Sequence, residues 1–138
     1  MILHIPHASR RIPAAFRDQF VLTDDELQQE QLRLTDAYTD ELFQDLESTT
    51  IHFPYSRLMV DVERFPDDTQ EPMSRIGMGR FYMKTTEGRP LRRALTQDEI
   101  GLLDGYYTEH HNKLTDAVEQ ELSDSGRSLL IDCHSFPG

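Results

Sequence analysis

The 138-residue chain carries 25 acidic residues against 14 Lys and Arg, a formal net charge of −11, with 37% apolar and 28% charged residues. A single cysteine excludes an internal disulfide framework, the acidic balance argues against binding along a nucleic-acid backbone, and no apolar run approaches the roughly 20 residues of a membrane span. The length suits one domain, residues 1–138, and the lone Cys133 fits a reducing, cytoplasmic setting.

The start, "MILHIPHASRR", has no basic segment before its apolar stretch and no small-residue cleavage site, so it does not read as a signal peptide. "ILHI" at 2–5 predicts a short buried strand ended by Pro6. Thr23 with Glu26 three residues on forms a capping box, so a helix should start near Asp24. A second helix is expected from Asp36, with Tyr38, Leu42, Phe43 and Leu46 on one face. "TIHF" at 50–53 and "RLMVDV" at 57–62 read as strands.

Residues 65–95, rich in Pro, Gly, Arg and acids, predict a long loop with a hairpin around "GRFYMKT", and a loop of that length in a small domain is more often functional than idle. Thr96 and Glu99 form a second capping box and open the clearest helix, where Leu103, Tyr107, His110, Leu114, Ala117 and Leu122 follow a 3–4 spacing. Gly101 and Gly105 weaken this helix without breaking it. "SDSGRS" turns the chain, and "SLLIDC" is a continuous apolar strand, expected to have both faces covered. Strands separated by helices give an α/β class with a largely parallel sheet.

Polar residues gather at the ends of these strands: His7 after the first, Asp61 and Arg64 at the third, Asp132 and His134 at the last. Open α/β sheets bind ligands outside the carboxyl ends of their strands. Two histidines with a carboxylate from a neighbouring helix, Asp36 or Asp40 one turn later, would make a zinc site with an open water position. Zinc would lower the pKa of bound water toward about 7.

Spacing alone leaves two readings of His7 and His134, as metal ligands or as hydrogen-bonded loop histidines. Asp36 by itself reads as a helix N-cap, Asp40 as a polar helix-face residue, His4 as a packing residue of the first strand, His52 as a surface or strand histidine, and Tyr106 and Tyr107 as core. Arg57, Arg64, Arg75, Arg80 and Arg89 form a second cluster. The planar Arg fork suits carboxylates, and Arg57 and Arg64 bracket an apolar run beside Asp61.

Other chemistries fit less well. "GMGR" lacks the lysine and the preceding strand of a phosphate loop. No nucleophile elbow occurs, although Ser9 and Ser135 each lie near a histidine. Cys133 and His134 would point to opposite faces of an extended chain, which leaves Cys133 as a small buried residue.

Six segments in order, "HIPHASRRIP", "LTDAYTDELF", "SRLMVDVERF", "GRPLRRALTQDE", "YYTEHHNKL" and "LLIDCHSFP", resemble the N-formylglutamate amidohydrolase family over almost the whole chain. The resemblance implies a three-layer α/β/α fold akin to zinc carboxypeptidases, with a mainly parallel or mixed sheet. It implies zinc, or another divalent metal, and hydrolysis of N-formyl-L-glutamate to formate and L-glutamate in histidine degradation.

By the same resemblance His7, Asp36 and His134 are the metal ligands, with Asp40 as a second carboxylate. Arg57, Asp61 and Arg64 bind the substrate carboxylates, and His111 contacts the substrate or polarises the amide. Asp132 would orient a metal histidine from behind. The other readings of the site are hydrolysis of another N-acyl amino acid or small amide, and a non-catalytic relative that holds a metal or a carboxylate. No general base is assigned, and Glu63 stands in the matched strand without a matching role. Family members continue past the last strand, which makes 1–138 the N-terminal part of the domain and leaves a sheet edge open to association with another copy.

Overall fold

Strand β1 (Ile2–Ile5) is buried along its whole length, because it runs between two partners. It pairs in parallel with β2 (Thr49–His52), from Ile2 opposite Thr49 to Ile5 opposite His52. It also pairs in parallel with β3 (Leu130–Asp132), from Ile2 opposite Leu130 to His4 opposite Asp132. The sheet order is therefore β2-β1-β3. The computed structural model describes residues 1–44 and 47–136. Besides the strands it contains α1 (Asp24–Leu34), α2 (Thr39–Leu42), α3 (Gln97–Ser125) and two 3-10 turns, Ala14–Gln19 and Pro72–Ile76. This is a small parallel sheet with helices, an α/β architecture.

Both expected capping boxes form. Thr23 and Glu26 start α1, and Thr96 and Glu99 start α3, each pair exchanging side-chain to backbone bonds. The helix α3 ends at Gly126, whose φ of 72° fits a left-handed C-cap that a side chain would strain. It lies against β1 and β2, yet only Leu103 and His110 are buried along it.

Three expectations need correction. The helix expected from Asp36 is a single turn that begins at Thr39, after Tyr38 in a left-handed conformation. Asp36 does not cap it. Asp36 instead donates its backbone N–H to the His7 carbonyl at 3.0 Å and accepts the Thr39 hydroxyl at 2.9 Å. Tyr38 and Leu42 are exposed rather than core-facing, and Leu46 lies outside the described residues.

The run 57–62, buried from Leu58 onward, is not a strand. Its backbone groups are satisfied by turns and side chains instead of a ladder: Met59 N–H donates to the Ser56 carbonyl, Asp61 N–H to the Arg80 carbonyl, and the Arg92 guanidinium donates to the Leu58 and Met59 carbonyls. Leu58 and Tyr82 belong to one apolar cluster with Phe20 and Leu91; Met59, Val60 and Val62 belong to another with Phe53 and Leu103. The 65–95 region contains a tight connection closed by a bridge between Lys84 and Pro90, a few residues later than expected.

The third correction concerns β3. Leu130, Ile131 and Asp132 are all exposed, and among the described residues β3 pairs only with β1. Cys133, just past it, is buried with Leu3 and Ile5 as expected.

Candidate functional site

The carboxyl ends of β1 and β3, the 56–64 segment and the turn at Asp36 converge, and they bring His7, Asp36, Asp61, Glu63 and His134 together. Asp61 is the anchor. Its side chain is fully buried and accepts from His7 Nε2 at 2.8 Å, Arg57 Nη2 at 2.9 Å, the Tyr82 hydroxyl at 2.6 Å and the Glu63 backbone N–H at 3.0 Å. Burial opposes its charge, but His7, Arg57 and Tyr82 hold its pKa well below the usual carboxylate range. Tyr82 is held protonated by burial and by Asp61, so it acts as a donor.

Ring nitrogens settle the roles of the two histidines. An ionised carboxylate only accepts, so His7 Nε2 carries the proton given to Asp61. Its Nδ1 is buried and without a hydrogen-bond partner, 3.6 Å from Glu63 Oε2 and 3.8 Å from Asp36 Oδ2. His134 lies between two carboxylates, with Nδ1 2.7 Å from Asp36 Oδ2 and Nε2 3.1 Å from Glu63 Oε1. A neutral ring satisfies only one of those acceptors with a proton. Burial lowers the pKa of His7, but the pull of Asp36 and Asp61 outweighs it and the net shift is upward. Burial raises that of Asp36, and His7 and His134 reverse it to a net lowering.

His7, Glu63 and His134 each place one donor atom within 4.8 Å of the others. This set fits a divalent cation on two counts: an orphaned, buried imidazole nitrogen faces a carboxylate, and the far nitrogen of each ring is held by a second carboxylate, Asp61 for His7 and Asp36 for His134. Carboxylates in that outer position orient metal-bound imidazoles. Glu63 joins the residues expected there, and Asp36 Oδ2 lies 2.7 Å from His134 Nδ1 and 3.8 Å from His7 Nδ1. Asp40 is exposed on α2, within electrostatic reach of His52.

Arg57 and Asp61 are committed to each other and to His7 rather than to an open space: Arg57 spends Nε and Nη2 on Asp61 and Nη1 on the Leu34 carbonyl. Arg64 is different. Among the described residues only its Nε is hydrogen-bonded, to the Met78 carbonyl at 3.2 Å, and it lies 3.7 Å from Asp61. Arg64 lines a cleft of about 520 Å³ together with His4, Glu63, Tyr107, His111 and Asp132. His111 donates Nε2–H to the Val62 carbonyl at 2.8 Å, which leaves Nδ1 as its acceptor. The Tyr107 hydroxyl donates to the Arg64 carbonyl at 2.9 Å.

Sequence reasoning gave Glu63 no role, and it read His4 as a packing residue and His110 as part of the apolar spacing of the long helix, without bringing the two together. Asp132 orients His4, not His134, at 2.7 Å from Nδ1, and His4 Nε2 lies 2.8 Å from His110 Nε2. Burial and the neighbouring His4 push the pKa of His110 down to about 3. The available signal was a histidine on the apolar 3–4 spacing of α3, facing a histidine in a buried strand.

No helix among the described residues is long and apolar enough to cross a membrane. No curated protein matches the chain. A solved structure of N-formylglutamate amidohydrolase from Ralstonia eutropha JMP134 shares the fold, with a TM-score of 0.82 and 24% identity over 99% of this chain and 53% of that one. The present chain thus spans about half the length of that relative. The family model for N-formylglutamate amidohydrolase matches residues 1–138, and the chain belongs to that family.

Proposed function

We propose that this chain serves a zinc-dependent hydrolase that converts N-formyl-L-glutamate to formate and L-glutamate, in the cytoplasm and in histidine degradation, as a single domain of three-layer α/β/α, zinc-carboxypeptidase type. The observation that carries the reading is the pair of imidazoles, His7 and His134, each with one nitrogen held by a carboxylate and the other turned toward Glu63. His7, Glu63 and His134 would hold the ion. A bound zinc ion supplies a Lewis acid for a carbonyl oxygen and acidifies water.

The chain's own groups supply the rest. The substrate is a small anion. Arg64, whose Nη groups have no hydrogen bond among the described residues, would pair with its carboxylate in the cleft. Tyr107, bonded to the Arg64 carbonyl, fixes the backbone from which that side chain projects. His111 has Nδ1 as its one free proton site and lines the same cleft. It would take a proton from the attacking water and return it to the departing amine as the C–N bond breaks.

The arginine selects an anion without reading its acyl group, which favours hydrolysis of another N-acyl amino acid as the second reading. The chain also spans only about half of its solved relative, which favours a third reading, binding without turnover. Formate release from N-formyl-L-glutamate by zinc-loaded protein, faster than acetate release from N-acetyl-L-glutamate and abolished by a chelator, is the expected result. Preference for the acetyl compound supports the second reading. Zinc-loaded protein that binds N-formyl-L-glutamate and releases no formate overturns the catalytic reading of this chain.

A further inference from the structure

We propose a second divalent-cation site beside the first, formed by His4, Glu63 and Asp132, with Glu63 shared between the two. It rests on the first site only through that shared carboxylate. One donor atom from each of the three residues lies within 4.8 Å of the others. His4 Nδ1 is 2.7 Å from Asp132 Oδ1 and 4.0 Å from Glu63 Oε1. Glu63 Oε2 faces His7 Nδ1 at 3.6 Å, and Oε1 lies between His134 Nε2 at 3.1 Å and His4 Nδ1 at 4.0 Å. A carboxylate so placed can bridge two cations, which in paired sites stand roughly 3.5–4 Å apart.

The backbone fixes this arrangement. His4 and Asp132 are register partners across the parallel β1–β3 pair, and the His4 carbonyl accepts the Cys133 N–H at 2.8 Å. The ring of His4 is buried against α3. Its far nitrogen also has what a ligand needs. When His4 offers the Nδ1 lone pair, Nε2 carries the ring proton, and His110 Nε2 stands 2.8 Å away to accept it. With Nδ1 protonated toward Asp132 instead, the same contact runs the other way, with His110 donating. The His4–His110 pair therefore admits a cation by exchanging tautomers without moving either ring.

Charge points the same way. Asp36, Asp61, Glu63 and Asp132 crowd this end of the sheet. Among them Arg57 is spent on Asp61, and Arg64 lies 3.7 Å from the same residue. Asp132, exposed at the rim of this cluster, is held by His4 Nδ1 at 2.7 Å.

The second site also opens on the cleft that Arg64 lines. His4, Glu63 and Asp132 line the 520 Å³ cleft beside Arg64 and His111, and neither His7 nor His134 does. A cation there would meet the carboxylate or carbonyl oxygen of an anion entering the cleft. One imidazole and two carboxylates form a harder donor set than two imidazoles and one, so the site suits Mn²⁺ as well as Zn²⁺.

The test is metal stoichiometry. The chain is saturated with Zn²⁺, stripped of excess by gel filtration and assayed for metal per chain by mass spectrometry, alongside Asp132→Asn and His7→Gln, with circular dichroism to verify folding. Two ions in the parent, with one in each variant, support the inference. One ion in the parent, kept by Asp132→Asn and lost by His7→Gln, overturns the second site and leaves the first standing. No ion in the parent overturns both. Two ions retained in Asp132→Asn overturn the assignment of that residue. A measurement on the parent alone guards against a variant that fails to fold: saturated with Mn²⁺, it should show a spin-coupled pair by electron paramagnetic resonance, and an uncoupled spectrum at saturation overturns the shared carboxylate.

Discussion

Asp61 shows how one fully buried carboxylate can decide a site. It binds the far nitrogen of His7 and the guanidinium of Arg57, and it is fully buried. Asp61→Asn keeps the shape and removes the charge, leaving Arg57 without its buried partner. Breaking such a pair from one side costs about 3–5 kcal/mol, so urea unfolding should show a loss of that order; a loss below about 1 kcal/mol would sink the anchoring role. His110 makes a separate prediction through pH. Its folded pKa lies near 3, while an unfolded histidine titrates near about 6.5. A depressed folded pKa means that the unfolded chain binds more protons between those values. The stability from neutral His110 is therefore present above about pH 6.5 and is lost as pH falls toward 3, with a slope of up to about 1.4 kcal/mol per pH unit for each proton taken up. His4, also depressed by burial, adds to the same window. His110→Gln keeps a donor for His4 and removes one titration, so unfolding measured from pH 6.5 to 4 should give a shallower slope. An unchanged slope would assign the pH dependence elsewhere.

At the scale of elements, legibility followed the locality of the forces. The capping boxes of α1 and α3 involve residues three apart, and both formed where the sequence placed them. Strand β1 was legible because Pro6 ends it and its apolar run is short. The 57–62 run was misread because an apolar run looks the same whether its carbonyls meet a ladder or the guanidinium of a distant Arg92. The turn at Asp36 was misread because its geometry is set by a bond to the His7 carbonyl. The same logic applies to the site. His7 and His134 stand out by their motifs, whereas His4 alternates like any strand residue and His110 sits on the apolar spacing of α3, so their meeting is a fact of tertiary packing. The long helix offers a direct test of local energetics. A Cβ at Gly105 would meet nothing within 4 Å. Gly105→Ala should therefore stabilise the protein by about 0.5–1 kcal/mol, read as a raised midpoint in thermal unfolding followed by circular dichroism. A lowered midpoint would mean that the position makes contacts this fold does not show.

For the whole molecule, the donors matter because of where they come from. His7 follows β1, Glu63 sits half-buried in the 56–64 segment and His134 follows β3, so a cation on them would tie together pieces more than a hundred residues apart in sequence. The unfolded chain cannot present that set, and binding to the native state alone stabilises it by RT ln(1 + [L]/Kd), about 2.7 kcal/mol at a hundredfold excess over Kd. For a chain of this length that corresponds to a rise in Tm on the order of 10 °C. A chelator should reverse the rise, and His7→Gln should show little of it. The pH dependence has a fixed sign. His7 has a raised pKa and must surrender its Nδ1 proton to bind a cation, so the Zn²⁺-induced shift should be larger at pH 8 than at pH 6. Parent protein whose Tm does not move with Zn²⁺ at either pH would show that these donors, close as they are, form an ordinary hydrogen-bonded cluster.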